Sequence, residues 1–441
     1  MKKAVVVLVM LGIFVVAGPF VSGKLLEQRY QELLVEEAFE DVFLLHGERY
    51  KRDWMSSTIV TEFEVTDEKF AAEYKRYKNK ANASAGIKSD ETRPVFKVES
   101  IVQHGPFWLG ESFGMGLGKV ESRLILDDET RTKTAGMFEG ELLSMQIMVH
   151  FSRSADVVLN TSKISFNNKQ TGEMAIVHPV LSHWHIAKLG HQAKGEIAWK
   201  GLTFTGKEGV VNLSETTIKT DVEHYQGVWV GNVVWDQEKI LFEGQGKKLM
   251  IKNLHLDSDT HVGMRDDLVD TVMNSTVESV DVAGEVYGPG VYRMSMENLP
   301  VDTLAKIQQL ESKAGSHAAQ PVNMQDLMTL LPEMLSHGPV LEISEMEVST
   351  PYGNVQGTLK TTLLETAPAQ FADIQHLKKS VLIDADLIVP AIYFADSKMA
   401  PVADNLALNG FIEEKAGMLH STLHMADGKL SINGKPVPLP F

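Results

Sequence analysis

The fold is decided by the stretch Leu341-Glu-Ile-Ser-Glu-Met-Glu-Val348, Pro351-Tyr-Gly-Asn354 and Val355-Gln-Gly-Thr-Leu-Lys-Thr-Thr-Leu363. Apolar and polar side chains alternate on both sides of the central four residues, which is the period of a strand with one buried face. Gly and Asn tolerate a positive φ and therefore suit a tight turn. The stretch predicts a β-hairpin.

The same alternation recurs through most of the chain. It predicts strands over 57–65, 95–102, 118–126, 195–204, 228–235, 248–256 and 279–286. Hairpins separated by Gly and Asn favour an antiparallel sheet over a βαβ arrangement. We therefore predict a mainly β protein (α+β) with a large curved antiparallel sheet and few helices. The β-rich region is predicted over 49–310 and continues in 322–441, packed on the same body.

Helical spacing is confined to a few segments. Residues 24–48 carry an apolar stripe between acidic residues and predict an amphipathic helix. Shorter helices are predicted over 301–309, after Pro300, and over 325–335, where Pro332 would kink or break the helix. The small, polar stretch 311–321 between them predicts an exposed loop.

The first twenty-three residues predict a membrane helix or a secretory signal. Lys2 and Lys3 precede a run from Ala4 to Val21 that contains no charge, and Lys24 closes it. A run through residue 23 approaches the length that spans a bilayer, so residues 1–23 are predicted to be a signal anchor held in the inner membrane through residues 4–23. The lysines would keep the N-terminus in the cytoplasm and place the body in the periplasm. The alternative is a cleaved signal and a secreted periplasmic body.

Composition restricts the function classes. The chain has no cysteine, which excludes disulfides, thiol catalysis and thiolate metal sites. Its formal charge of −16 opposes a general affinity for nucleic acid or for an anionic membrane surface.

Four short motifs, in order, resemble the YdgA-like family of bacterial envelope proteins. They are Tyr50-Lys-Arg-Asp-Trp-Met-Ser-Ser57, Gln103-His-Gly-Pro-Phe107, the segment 337–353 and Gly428-Lys-Leu-Ser-Ile-Asn-Gly-Lys435. The first departs from the family pattern at Asp53 and Met55, which stand where Gly and an aromatic residue are usual.

The resemblance implies a single-pass or signal-bearing protein of a Gram-negative bacterium, with its body in the periplasm and a domain of unknown function. It brings no catalytic residues to this chain. The layout is also similar to that of AsmA-like envelope proteins, whose sheets are thought to handle lipid; this is a likeness of fold and a weak argument for activity.

The candidate chemistry is sparse. His183 and His185 are two residues apart and would share one face of a strand, with His191 as a third nitrogen for a metal ion. No carboxylate stands near them at ligand spacing, so a hydrogen-bonded histidine pair is the preferred interpretation. His104, before Gly105-Pro106, is interpreted as a turn residue that bonds to local backbone. No catalytic, metal-binding or cofactor-binding residue is assigned.

Three functions remain open. A non-enzymatic envelope protein would present an apolar sheet surface or trough to a lipid or an envelope protein, and the candidate lining residues are Phe113, Leu117, Ile197 and Trp199. A periplasmic hydrolase or metal-dependent enzyme would use His183 and His185. A scaffold or adaptor would pair with other proteins through exposed strand edges. We favour the first.

Overall fold

The chain is mainly β in the part that the computed structural model describes. That part comprises residues 24, 43–66, 72, 95–108, 114–168, 171–316, 324–367, 370, 373–395 and 400–438. The prediction of a mainly β, antiparallel protein with few helices is confirmed for these residues. The predicted membrane helix of residues 1–23 lies outside them, and none of the described helices is long and apolar enough to cross a bilayer.

The strands alternate with short turns along the chain. The strands before residue 200 are β1 (Phe43–Arg52), β2 (Ser56–Val65), β3 (Val95–His104), β4 (Phe107–Trp108), β5 (Gly114–Met115), β6 (Gly118–Ile125), β7 (Leu143–Val149), β8 (Ala155–Thr161), β9 (Ile164–Asn168), β10 (Glu173–Val177), β11 (Val180–Ala187) and β12 (Gln192–Trp199). The later strands are β13 (Leu202–Gly206), β14 (Gly209–Leu213), β15 (Thr216–Tyr225), β16 (Val228–Gly244), β17 (Lys247–Val262), β18 (Leu268–Val282), β19 (Glu285–Tyr287), β20 (Gly290–Pro300), β21 (Val340–Thr350), β22 (Gly353–Leu363), β23 (Val381–Pro390), β24 (Glu413–Lys415), β25 (Met418–Ala426), β26 (Lys429–Ile432) and β27 (Lys435–Val437).

The described helices are few and short. They are α1 (Asp128–Lys133), α2 (Val301–Ser316), α3 (Met324–Ser336), α4 (Ile374–Ser380), α5 (Ile392–Ala395) and α6 (Ala400–Leu408). The 3-10 turn Lys188–Gly190 joins β11 to β12.

The described chain divides into two units. The first takes its residues from Met1–Phe166, Ile176–Trp199 and Leu310–Pro321. Within it the antiparallel ladder runs β1-β2-β3-β6-β7-β8-β11-β12. One face of this sheet carries apolar and small side chains, as in the cross-strand series Val102, Val120, Ile147 and Val157. The opposite face carries polar side chains, among them Glu121, Gln146, His183 and His185.

The second unit comprises Asn167–Ala175, Lys200–Gln309 and Val322–Phe441. Its antiparallel ladder runs β13-β14-β16-β17-β18-β20-β21-β22-β23-β25-β26-β27, and β15, β19 and β24 pair with β16, β18 and β25. The hairpin predicted from residues 341–363 is β21 and β22, and its turn is Pro351-Tyr352, with Thr350 opposite Gly353.

The buried core of the second unit lies where α2 meets the sheet. It is formed by the residues Val228, Val230, Val269, Leu299, Val301 and Ala305. Helix α2 begins directly after Pro300, and the Val301 amide donates to the Asp267 carbonyl, so the first turn is held against β18. Packing against this helix explains why Val269 is completely buried.

Several boundaries differ from the sequence-based expectations. Residues 43–48, placed in the amphipathic helix 24–48, belong to β1, because Phe43 already pairs with Val65 of β2; residues 25–42 lie outside the described part. Helix α2 extends to Ser316, so residues 311–316 of the predicted loop 311–321 are helical. Helix α3 does not end at Pro332 but includes it and continues to Ser336.

Candidate functional site

An apolar row crosses five neighbouring strands of the second unit. Phe204 of β13 stands opposite Val211 of β14, which stands opposite Phe242 of β16. Phe242 in turn faces Leu249 of β17, which faces Val282 of β18. Directly opposed residues of antiparallel strands point to the same face, so these five side chains form one line across the sheet.

A second apolar row runs beside the first, two residues further along each strand. It consists of Leu202, Leu213, Ile240, Ile251 and Val280. A spacing of two residues keeps both rows on the same face. We call the ten residues of the two rows the apolar face.

The apolar face is accessible to solvent. None of its ten residues is buried, and the side chains of Phe242 and Val282 are 44% and 46% exposed. Scattered exposed apolar side chains are common on proteins, whereas a continuous patch built from paired strands is a candidate binding surface.

A cavity of about 740 Å³ opens at the end of the apolar face where the hairpin turns lie. All five residues of the first row line it, together with Glu208, Gly209, Val210, Glu243, Gly244, Lys247, Lys248 and Ala283. Its size falls within the range of about 300–1,000 Å³ that is typical of small-molecule sites. An apolar ligand fits this lining, because few polar side chains enter it.

One charged residue of the cavity lining, Lys248, is paired within the sheet. Lys248 and Asp281 form an ion pair of 2.7 Å between β17 and β18. The hydrogen bond from Lys248 is the main reason why the pKa of Asp281 lies below its ordinary value, and the same bond raises the pKa of Lys248. This pair lies on the face opposite to the apolar face, because Lys248 adjoins Leu249 in the strand.

The residues predicted to line a trough lie in the first unit or outside the described residues. Phe113 belongs to the latter group. Leu117 lies in the turn before β6 and is 43% exposed. Ile197 and Trp199 share one face of β12 and are half-buried, and Trp199 Nε1 donates to the carbonyl of His178 at 3.2 Å.

Sequence reasoning missed the cavity itself. It predicted a strand over 248–256, which lies within β17, but the single strands predicted over 195–204 and 279–286 each span the end of one strand and the beginning of the next, β12 and β13 in the first case and β18 and β19 in the second. It did not identify β14 or the second half of β16, whose apolar residues Val211 and Phe242 complete the first row. Alternation of apolar and polar residues indicates which side chains of one strand share a face. It does not give the pairing register, which aligns the apolar residues of neighbouring strands into a row.

The histidines of β11 lie on one face, as their spacing predicts, and both are exposed. His185 Nδ1 and His150 Nε2 each lie 2.6 Å from a different oxygen of Asp156. His191 follows the 3-10 turn and is exposed. Within the described ranges, no group of three or more His, Asp or Glu side chains has the arrangement of a metal site, so the metal-dependent alternative gains no support from this cluster.

Asp156 is expected to make folding more sensitive to acid. The hydrogen bond from His185, followed by that from His150, lowers the pKa of Asp156 below its ordinary value of 3.8. A carboxyl group whose pKa is lower in the folded than in the unfolded state stabilises the fold at any pH above its unfolded-state pKa. This contribution is lost as the pH falls through its folded-state pKa. We expect Asp156→Asn to cost at most about 1 kcal/mol near pH 7, because the cluster is half-exposed.

The check is thermal unfolding of the native chain and of Asp156→Asn between pH 7 and pH 2. The difference in melting temperature should shrink below pH 3.8. A difference that stays constant over this range contradicts the assignment. His183→Ala, on the same face of β11, is the control and should behave like the native chain.

Ser57 and His104 form a buried pair that joins two of the quoted motifs. Ser57 Oγ lies 2.9 Å from His104 Nε2 and 3.2 Å from the Tyr50 hydroxyl. Serine and histidine at this distance are the first two members of a nucleophilic triad. However, Ser57 is 0% exposed and His104 is 2% exposed, so both side chains are closed to solvent. The pair stabilises the packing of β1, β2 and β3, and the interpretation of His104 as a residue bonded to local backbone missed this partner.

The comparisons with known proteins identify the family. Residues 1–440 match the family described as "Bacterial protein of unknown function (DUF945)", and the chain therefore belongs to it. No curated protein and no solved structure matches the chain.

Proposed function

We propose that this member of the DUF945 family is a non-enzymatic envelope protein that binds the hydrocarbon part of a lipid on its apolar face. The observation that carries the proposal is the alignment of Phe204, Val211, Phe242, Leu249 and Val282 beside a cavity of about 740 Å³. Solvent-exposed apolar rows of this kind gain free energy when a hydrocarbon chain replaces water.

The expected affinity is weak. Each methylene that leaves water contributes about 0.8 kcal/mol, so about ten methylenes against the apolar face give roughly 8 kcal/mol. Lost translational and conformational freedom offsets about half of this gain. The balance of about 4 kcal/mol corresponds to a dissociation constant around the millimolar range, which suits a protein that takes up and releases its ligand.

The location is part of the proposal. The uncharged run from Ala4 to Val21 after two lysines supports an anchor in the inner membrane with the body in the periplasm. The resemblance to YdgA-like proteins, and the looser likeness to AsmA-like proteins, agrees with an envelope protein that handles lipid. The charge of −16 opposes adsorption of the body to an anionic bilayer surface, so contact with lipid would occur through its chain.

The experiment is identification of the bound ligand. The full chain is purified from membranes of the bacterium that expresses it, extracted with organic solvent, and the extract is analysed by mass spectrometry. We expect a lipid at a constant molar ratio to protein across preparations. A lipid-free sample that also fails to bind a fluorescent fatty acid after delipidation contradicts the proposal.

A further inference from the structure

A further row lies beyond the first apolar row on the same side of the sheet, and it is made of glycines and a single lysine. Gly206 stands opposite Gly209, and Gly244 stands opposite Lys247. The pairing of Val210 with Glu243 places Gly209 beside Gly244, so the four residues form one line. Each lies two positions beyond a residue of the first apolar row and so belongs to the same face. Lys247 is the one member of this line with a side chain.

Close backbone packing keeps the rest of the line bare. A Cβ atom at Gly209 would approach the carbonyl oxygen of Glu243 to 2.0 Å, and one at Gly244 would approach that of Glu208 to 2.2 Å. Contacts this short exclude any side chain without movement of the backbone. The end of the cavity therefore stays open around the Lys247 ammonium group.

Lys247 is an exposed cation at this end of the face. It makes no ion pair with a residue that the structure describes. Lys207 and Glu208, in the β13–β14 turn, carry one charge of each sign. Glu243 stands directly opposite Lys248 on the other face, where Lys248 also pairs with Asp281.

We infer that the ligand is an amphiphile with an anionic head group, a carboxylate or a phosphate, which pairs with Lys247 while its chain lies along the first apolar row. The inference rests on the proposed function and adds the chemistry of the head group. The cation and the apolar row share one face and one cavity, so a single molecule can contact both.

The test compares three ligands that have the same chain and different heads. Dodecanoate, dodecyl phosphate and dodecanol displace an environment-sensitive fluorescent fatty-acid probe from the delipidated full chain. Lys247→Gln should weaken the binding of both anions about 5- to 10-fold, or about 1–1.4 kcal/mol. The affinity for dodecanol should stay within about twofold of that of the native chain. The relative losses of the two anions distinguish a carboxylate site from a phosphate site.

A lysine outside the cavity provides the matched control. Lys252→Gln, in β17 on the opposite face, removes the same charge and should leave the preference for anionic ligands intact, and Lys247→Arg should retain it. An equal preference for anions in the native chain and in Lys247→Gln overturns the inference while the proposed function stands. If none of the three ligands displaces the probe, both the inference and the proposed function are wrong.

Discussion

Phe242→Asp is expected to weaken binding of an apolar ligand about 30- to 100-fold. Phe242 lies in the middle of the first apolar row, between Val211 and Leu249, and lines the cavity. Loss of a phenyl group that a ligand would cover removes about 1.5–3 kcal/mol, and a carboxylate against the hydrocarbon chain adds a desolvation cost. The measurement is titration of the delipidated chain with a fluorescent fatty acid.

The control is a substitution of the same chemistry outside the cavity. Met264, in the turn between β17 and β18, is fully exposed, so Met264→Asp should bind the probe as the native chain does. Because Phe242 is 44% exposed, Phe242→Asp should lower the melting temperature only slightly. Equal affinities of the two variants would show that the apolar face is not the binding surface.

His104→Ala is expected to lower the free energy of unfolding by about 3 kcal/mol. The imidazole is 2% exposed and its removal leaves a cavity between β2 and β3. It also removes one of the two hydrogen-bond partners of the buried Ser57 hydroxyl, which lies 2.9 Å from His104 Nε2. The measurement is denaturant unfolding followed by circular dichroism.

Two further variants show whether the pair acts as a unit. Ser57→Ala should cost about 1–3 kcal/mol, and the double variant should cost less than the sum, because each residue bonds to the other. His183→Ala, exposed in the same unit, should change stability by less than about 0.5 kcal/mol. If His104→Ala is as stable as the native chain, the buried pair has no structural role.

The strands were readable from the sequence where one face is apolar. The alternation in residues 341–363 predicted β21 and β22 and placed the hairpin between them. The period of two also predicted that His183 and His185 share a face. These features are local, since they depend only on residues that are neighbours in the chain.

The contacts that define the sites are not local. Asp156 reaches His185 across 29 positions, and Ser57 reaches His104 across 47. Both contacts depend on pairing registers, which shift the face of every side chain when they move by one residue. The same holds for the first apolar row, whose members come from separate strands.

The boundary errors have a similar origin. Phe43 and the residues after it carry helix-like spacing, but pairing with β2 overrides that preference. Residues 311–316 are small and polar, yet Glu, Lys and Ala among them are good helix formers, and α2 continues through them. At Phe43 strand pairing outweighs the helical spacing of apolar residues. At residues 311–316 helix propensity outweighs the loop-like composition.

Covalent mapping of the ligand tests the central claim most directly. A fatty acid with a photoreactive group near the end of its chain is bound to the full chain, irradiated, and its attachment sites are found by peptide mass spectrometry. The account predicts attachment within residues 202–213, 240–251 and 280–284, with labelling suppressed in Phe242→Asp. Attachment confined to other segments, or equal labelling of Phe242→Asp and the native chain, would contradict it.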